Sequence, residues 1–250
     1  MTPGRKWLLR LGSVAVLLGA WELYGRLLNP ILLSRPSAVV AATADMIADG
    51  SLPAALGDSL VVLGLGFGAG VVTGVLVGSL TGRSTVAATL LEWPVNALYA
   101  TPMVALIPLV VVWFGFELTA KTVVVFLFVV FPVLINTTRG VRETDPALLE
   151  VARSFCSGEA RIWREVILPS ALPFVVTGIR LAIGRALIGV VVAEFYTALS
   201  GMGNLIAVNA NSFQTARVFV AVVVIALLGV ALTAALEWVE RRLARWRQAS

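Results

Sequence analysis

Six apolar runs divide this chain and limit what it can fold into. They are Leu8–Leu28, Ser59–Leu80, Trp93–Phe114, Thr122–Asn136, Ala171–Ala198 and Val218–Val239. A helix rising about 1.5 Å per residue needs about 20 residues to cross about 30 Å of hydrocarbon. All the runs reach that length except the fourth, which is short and carries Pro132. Hydrophobic residues make up 59% of the chain and charged residues 13%, with a mean hydropathy of +0.94. Soluble domains carry about 25% charged residues, so this chain lacks the polar surface to coat itself. The expectation is an all-α, polytopic membrane protein with about six spans in one domain over residues 1–250.

Charge placement narrows the partners. A net charge of +5 and a pI near 10.1 would suit nucleic acid, but the basic residues flank apolar runs instead of forming one patch. The partner they imply is the lipid membrane. Cytoplasmic segments carry the excess of Lys and Arg. With the N-terminus inside, the inner segments hold Arg5, Lys6, Arg10, Arg83, Arg139, Arg142, Arg153, Arg161, Arg164, Arg241, Arg242, Arg245 and Arg247. The outer segments hold only Arg26, Arg35, Lys121 and Arg217. Six spans then leave both termini cytoplasmic. Arg5-Lys6 before the first run resembles a signal-peptide start, yet Trp21, Glu22 and Tyr24 stand where small residues would mark cleavage, so it reads as an uncleaved span. With no His and the single Cys156, neither a disulfide framework nor a His/Cys metal site is available.

Within the spans, Gly66, Gly70, Gly74 and Gly78 recur every four residues and line one helix face. Small residues there let a second helix approach closely; no Lys-Ser/Thr follows to make a phosphate loop. Pro94, Pro102, Pro108 and Pro132 interrupt the third and fourth runs, where kinks suit a moving transporter or simple packing irregularity. Arg180, Arg185 and Glu194 are charges inside the fifth run. Such residues usually face a bundle interior or an aqueous path, although Arg180 could instead snorkel to one edge and Glu194 sit near the other. The basic stretch Glu240–Arg247 stops the last span at an anionic leaflet.

The segment from Arg139 to Ser170 stands apart as a long, charged, cytoplasmic loop. Asp145-Pro146 is a helix start, with a capping side chain and proline at the first helical position. Leu148, Leu149, Ala152 and Phe155 follow as an apolar stripe, and Ser157-Gly158 breaks the run. A second amphipathic stretch carries Ile162, Trp163, Val166 and Ile167 and is expected to end before Pro169. Two short helices held at a membrane face can insert into a partner's groove or lie on the bilayer.

Glu150-Val-Ala152, Cys156, then Val166-Ile-Leu168-Pro169 resembles the EAA loop of ABC importer permeases, whose pattern is Glu-Ala-Ala, three residues, Gly, nine residues, Ile-x-Leu-Pro. Thr144-Asp145-Pro146, Ala152-Arg-Ser-Phe155, Leu168-Pro-Ser-Ala-Leu-Pro173 and Gly184-Arg-Ala-Leu-Ile-Gly189 resemble the nitrate/sulfonate/taurine type, and the likeness extends from about Tyr99 to the C-terminus. Cys156 departs from the family glycine. If the turn there needs positive φ, a Cβ is unfavourable by about 1 kcal/mol, unless Gly158 takes the bend.

The resemblance implies a type I importer permease fold in the cell inner membrane. It implies pairing with a second permease copy, an ATPase subunit that binds ATP and Mg in the cytoplasm, and a periplasmic or lipoprotein solute-binding protein. Glu150, Val151, Ala152, Arg153, Ser154, Phe155, Cys156, Gly158, Leu168 and Pro169 would form the ATPase-coupling loop. Asn96, Asn136, Arg180, Arg185 and Glu194 are the polar residues assigned to the solute path. No Gly-x-x-x-x-Gly-Lys-Ser/Thr occurs, so ATP hydrolysis and its cofactors fall to the partner. The solute would be a small anion such as nitrate, a sulfonate or taurine; the same family type also carries pyrimidine precursors and aromatic acids. The alternatives are a secondary transporter driven by an ion gradient, for which no internal repeat is evident, and a membrane enzyme, for which no nucleophile–base set is evident.

Overall fold

In a computed structural model that describes residues 3–197 and 199–243, the chain is helical, with helices α1 (Pro3–Leu27), α2 (Pro36–Ala48), α3 (Ser51–Arg83), α4 (Thr85–Ala100), α5 (Met103–Phe114), α6 (Leu118–Arg142), α7 (Pro146–Ser154), α8 (Glu159–Ile162), α9 (Leu168–Thr197), α10 (Met202–Asn211) and α11 (Thr215–Leu243). A π turn, Trp163–Ile167, joins α8 to α9. Ala198, at the end of the fifth expected span, and Arg245 and Arg247 of the basic tail lie outside the described residues. Among the described residues, five helices are long and apolar enough to cross a membrane, or six if the bent pair α4–α5 counts as one span.

The centre is a three-helix body of α3, α6 and α9. The glycine face of α3 meets α6 in register: Gly66 against Val125, Gly70 against Val129, Gly74 against Val133 and Gly78 against Thr137. Both helices advance by four residues at each step, so they run parallel. A Cβ at Gly70 would stand 2.7 Å from that of Val129, well inside the optimum of about 3.5–4.0 Å between carbons. Helix α9 runs antiparallel on the other side of α6, with Gly140 against Phe174, Gly178 against Pro132 and Asn136, and Gly189 against Phe128. The packing reading of the glycine stripe is what the structure shows.

Three expectations are corrected. The fourth run is not short: α6 has 25 residues and is the most buried of the candidate spans. Polar residues hid its ends; three of them are satisfied inside, while the Thr122 and Thr137 hydroxyls are buried with no partner among the described residues. Lys121 Nζ donates to the Ser200 carbonyl, Asn136 Nδ2 to the Pro132 carbonyl, and Thr138 Oγ1 to the Gly78 carbonyl. The third run is not one helix, because α4 and α5 meet at a bend of 100°. Thr101 is extended (φ −71°, ψ 133°), as expected of a residue preceding proline, and Pro102 is extended as well. The second amphipathic stretch does not end at Pro169. It passes through the π turn into α9, with the Leu168 N–H bonded to the Trp163 carbonyl. That wider turn lies where an α-helical register would push the proline ring against the carbonyl of Glu165.

Short helices fill the end opposite the α7 loop. Helices α2 and α10 were not expected, being too short and mixed in composition to stand out as spans. They pack with α11 around Met46, Leu52, Met202, Val220 and Ala221. Helix α1 touches this cluster through Trp21, whose indole N–H donates to the Ser34 carbonyl at 2.8 Å and whose ring lies 5.2 Å from that of Phe219. The described side chains of α1 before Trp21 are exposed and mostly apolar, as suits a helix facing lipid.

Candidate functional site

The α7 loop is built by local chemistry that the sequence announces. Asp145 Oδ1 accepts the Ala147 N–H at 2.8 Å, and Pro146 occupies the first helical position. The helix ends in a Schellman turn. The Cys156 N–H reaches the Arg153 carbonyl at 2.8 Å and the Ser157 N–H reaches the Ala152 carbonyl at 3.1 Å, the paired bonds of that cap. The turn needs a left-handed residue, and Cys156 supplies it at φ +52°. Gly158, at φ −67°, is extended and does not take the bend. The family glycine is therefore replaced at the position where its conformational freedom counts.

The apolar stripe of α7 divides into two faces. Leu149 and Ala152 turn inward, against a cluster of Val141, Ile162, Ile167 and Ala171 completed by Trp163. Leu148 (50% exposed), Val151 (54%) and Phe155 (82%) turn outward. The apolar stripe of Leu148, Leu149, Ala152 and Phe155 is thus split between an inward and an outward face. The loop packs its own underside with two residues and leaves three large apolar side chains half exposed or more. Glu150 and Arg153 are exposed beside them. Ser154 Oγ donates to the Glu150 carbonyl, so it belongs to the helix end. Leu168 and Pro169 lie past the π turn at the start of α9, with Leu168 half exposed. Arg83, the last residue of α3, holds the loop by donating to both Glu159 carboxylate oxygens at 3.0 and 3.1 Å.

The five polar span residues are not gathered into one site. Arg185 Nη2 donates to Tyr99 Oη at 2.7 Å, and its guanidinium lies 4.8 Å from the centroid of that ring. Tyr99 belongs to the last turn of α4, beside the 100° break. Along α9, Arg185 falls between the levels of Gly178 and Gly189, which face Pro132 and Phe128 near the middle of α6. A guanidinium thus stands at mid-depth against an interrupted helix. Asn96, one turn earlier on α4, lines a cavity of about 310 Å³ with Glu92, Thr138, Arg139 and Arg142. Asn136 is bonded to its own helix and covered by Gly178. Arg180 pairs with Glu240 of α11 at 2.5 Å, near the end of the molecule that bears α7.

Glu194 is fully buried, with its carboxylate engaged inside the chain. Its carboxylate accepts from Ser59 Oγ and from the Gly203 N–H, each at 2.7 Å, while Ser59 Oγ accepts the Met202 N–H at 2.8 Å. Lys121 holds the adjoining Ser200 through both its carbonyl and its hydroxyl. Three helices therefore grip one turn, residues 199–203, at the end opposite α7. Gly201 is left-handed in φ (+98°), and a Cβ there would overlap the Glu194 carboxylate. The sequence signal was the Ser-Gly-Met-Gly turn soon after an intramembrane glutamate. Ser59, lying 135 residues from Glu194 along the chain, gave none.

Residues 70–245 match the family model described as the binding-protein-dependent transport system inner membrane component. The aliphatic sulfonates transport permease protein SsuC of Escherichia coli K12 is 41% identical over 99% of this chain and 96% of its own length. SsuC of Bacillus subtilis 168 is 34% identical over 98% and 91%, respectively. The taurine transport system permease protein TauC of E. coli K12 is 31% identical over 97% and 90%. Among solved structures, an amino acid ABC transporter crystallised with histidines shares the fold at a TM-score of 0.56, covering 76% of this chain and 91% of that one at 18% identity.

Proposed function

The chain belongs to the binding-protein-dependent ABC transport inner membrane components, and on that basis we propose that it carries a small sulfonate-type anion, driven by an ATPase subunit docked on α7. Membership in this family sets aside the secondary-transporter and enzyme alternatives: the chain is the permease component, and ATP chemistry is not its own. A binding-protein-dependent system implies both a solute-binding protein and an ATPase as partners. Pairing with a second copy of this chain belongs to the proposal, as do the cytoplasmic position of both termini and of the α7 loop.

The observation that carries the docking role is the outward face of α7. Leu148, Val151 and Phe155 are displayed on a capped helix that is braced from beneath by Leu149 and Ala152 and from the side by Arg83–Glu159. Rigid apolar anchors ringed by polar groups suit a partner's groove. Glu150 and Arg153 supply polar contacts at the rim, Cys156 sets the turn, and Gly158 leads into α8. The anion preference is supported by the names of the relatives and by Arg185 at the α4–α5 break. In transporters, solutes commonly bind near the midplane at interrupted helices.

Co-purification tests the docking. Val151→Asp with Phe155→Asp should abolish retention of the ATPase while the purified permease keeps its helical content and monodispersity. Retention at wild-type levels would remove α7 from the interface. Arg185→Ala should cut sulfonate uptake by tenfold or more with the binding protein's own affinity unchanged; unaltered uptake would take Arg185 off the path.

A further inference from the structure

The cavity of about 310 Å³ between α3, α4 and α6 contains an interaction that neither docking nor the mid-depth arginine uses. Glu92 of α4 accepts from Arg142 Nη2 at 3.1 Å. Among the described residues this is the one ion pair on α4. Its setting gives it weight. Helix α4 has no buried residue and rests mainly on α3, so little apolar packing fixes its position. Helix α6, by contrast, is locked to α3 by the glycine face and by Thr138 on the Gly78 carbonyl.

Arg142 is the last residue of α6, and only Glu143 and Thr144 separate it from the Asp145 that caps α7. At its other end α4 stops at Ala100, next to Tyr99, which holds Arg185. A displacement of α7 reaches Arg142 along the backbone, crosses to Glu92 through the ion pair, and travels along α4 to the break. We propose that Glu92 and Arg142 are positioning residues, a latch that ties the first half of the broken span to the coupling loop. This rests on the docking role of α7.

Both side chains are about half exposed (56% and 42%), so the pair is of the modest, solvent-screened kind. Breaking it should alter coupling, not assembly. In proteoliposomes with the ATPase and binding protein, Glu92→Gln and Arg142→Gln should each lower the ratio of binding-protein-stimulated to basal ATP hydrolysis by about two- to five-fold, the range open to an exposed pair. The exchange Glu92→Arg with Arg142→Glu should recover it, and Arg142→Lys should keep most of it. ATPase retention is measured on the same preparations, because its loss reports on docking and the ratio reports on the latch. The proposal is overturned if the single variants keep the wild-type ratio. It is overturned equally if the exchange recovers nothing while the ATPase is retained, or if the single variants lose the ATPase, which would place Arg142 in the docking surface itself.

Discussion

Gly74→Ala separates the close approach of α3 and α6 from ordinary helix preference. A Cβ at Gly74 would lie 2.8 Å from Val133 Cβ and 2.9 Å from the Val130 carbonyl oxygen, which is backbone and cannot rotate away. Carbon contacts are most favourable at about 3.5–4.0 Å, so the helices must part by about 1 Å along a face that runs from Gly66 to Gly82. Overpacking of this kind costs about 1–3 kcal/mol. The gain in helix propensity from glycine to alanine offsets at most about 1 kcal/mol. With the full offset the net expectation is a loss of up to about 2 kcal/mol. Gly68, on the same helix, has nothing within 4 Å of an added Cβ, so Gly68→Ala keeps the propensity gain and should be neutral or stabilising. Thermal unfolding of the two variants in one detergent decides the matter. The melting temperature should fall by about 2–4 °C per kcal/mol lost in a chain of this size for Gly74→Ala and should not fall for Gly68→Ala. Equal losses would refute the account of the glycine face.

Restoring the family glycine with Cys156→Gly should relieve about 1 kcal/mol of left-handed strain and slow amide exchange at Cys156 and Ser157 about five-fold; unchanged exchange would mean the turn is not strained. Glu194→Gln places an amide N–H₂ against either the Ser59 hydroxyl or the Gly203 N–H, so one buried donor loses its acceptor. The expected cost is about 1–3 kcal/mol, read as faster exchange at residues 199–203 with α7 unaffected. Gly201→Ala should open the same turn more severely, since the new Cβ overlaps the Glu194 carboxylate; protease resistance equal to wild type at Ser200 would contradict the clamp.

What the sequence made legible was whatever rests on local chemistry. The Asp145-Pro146 cap, the glycine face and four of the five long apolar runs all appear on helices where spacing placed them. The break at Thr101-Pro102 escaped because apolarity continues through it from Trp93 to Phe114, and hydropathy carries no record of direction. The Pro169 boundary misled because a π turn absorbs the proline. Phe155 continues the apolar spacing of α7 yet is 82% exposed, standing at the cap where the helix ends. The grip on Glu194 was invisible for a different reason: Ser59, Lys121 and Gly203 come from three elements that only the fold brings together.

The direct test of the docking claim uses the lone cysteine of the chain, which is exposed in the α7 turn. A short photoactivatable maleimide on Cys156 of the assembled transporter should cross-link to the ATPase subunit, with a yield that changes when ATP is added. The same probe moved to position 213, by Cys156→Ser with Phe213→Cys at the opposite end of the molecule, should give no ATPase adduct. Adducts from Cys156 to lipid alone, or ATPase adducts from position 213, would contradict the assignment of α7 as the coupling element.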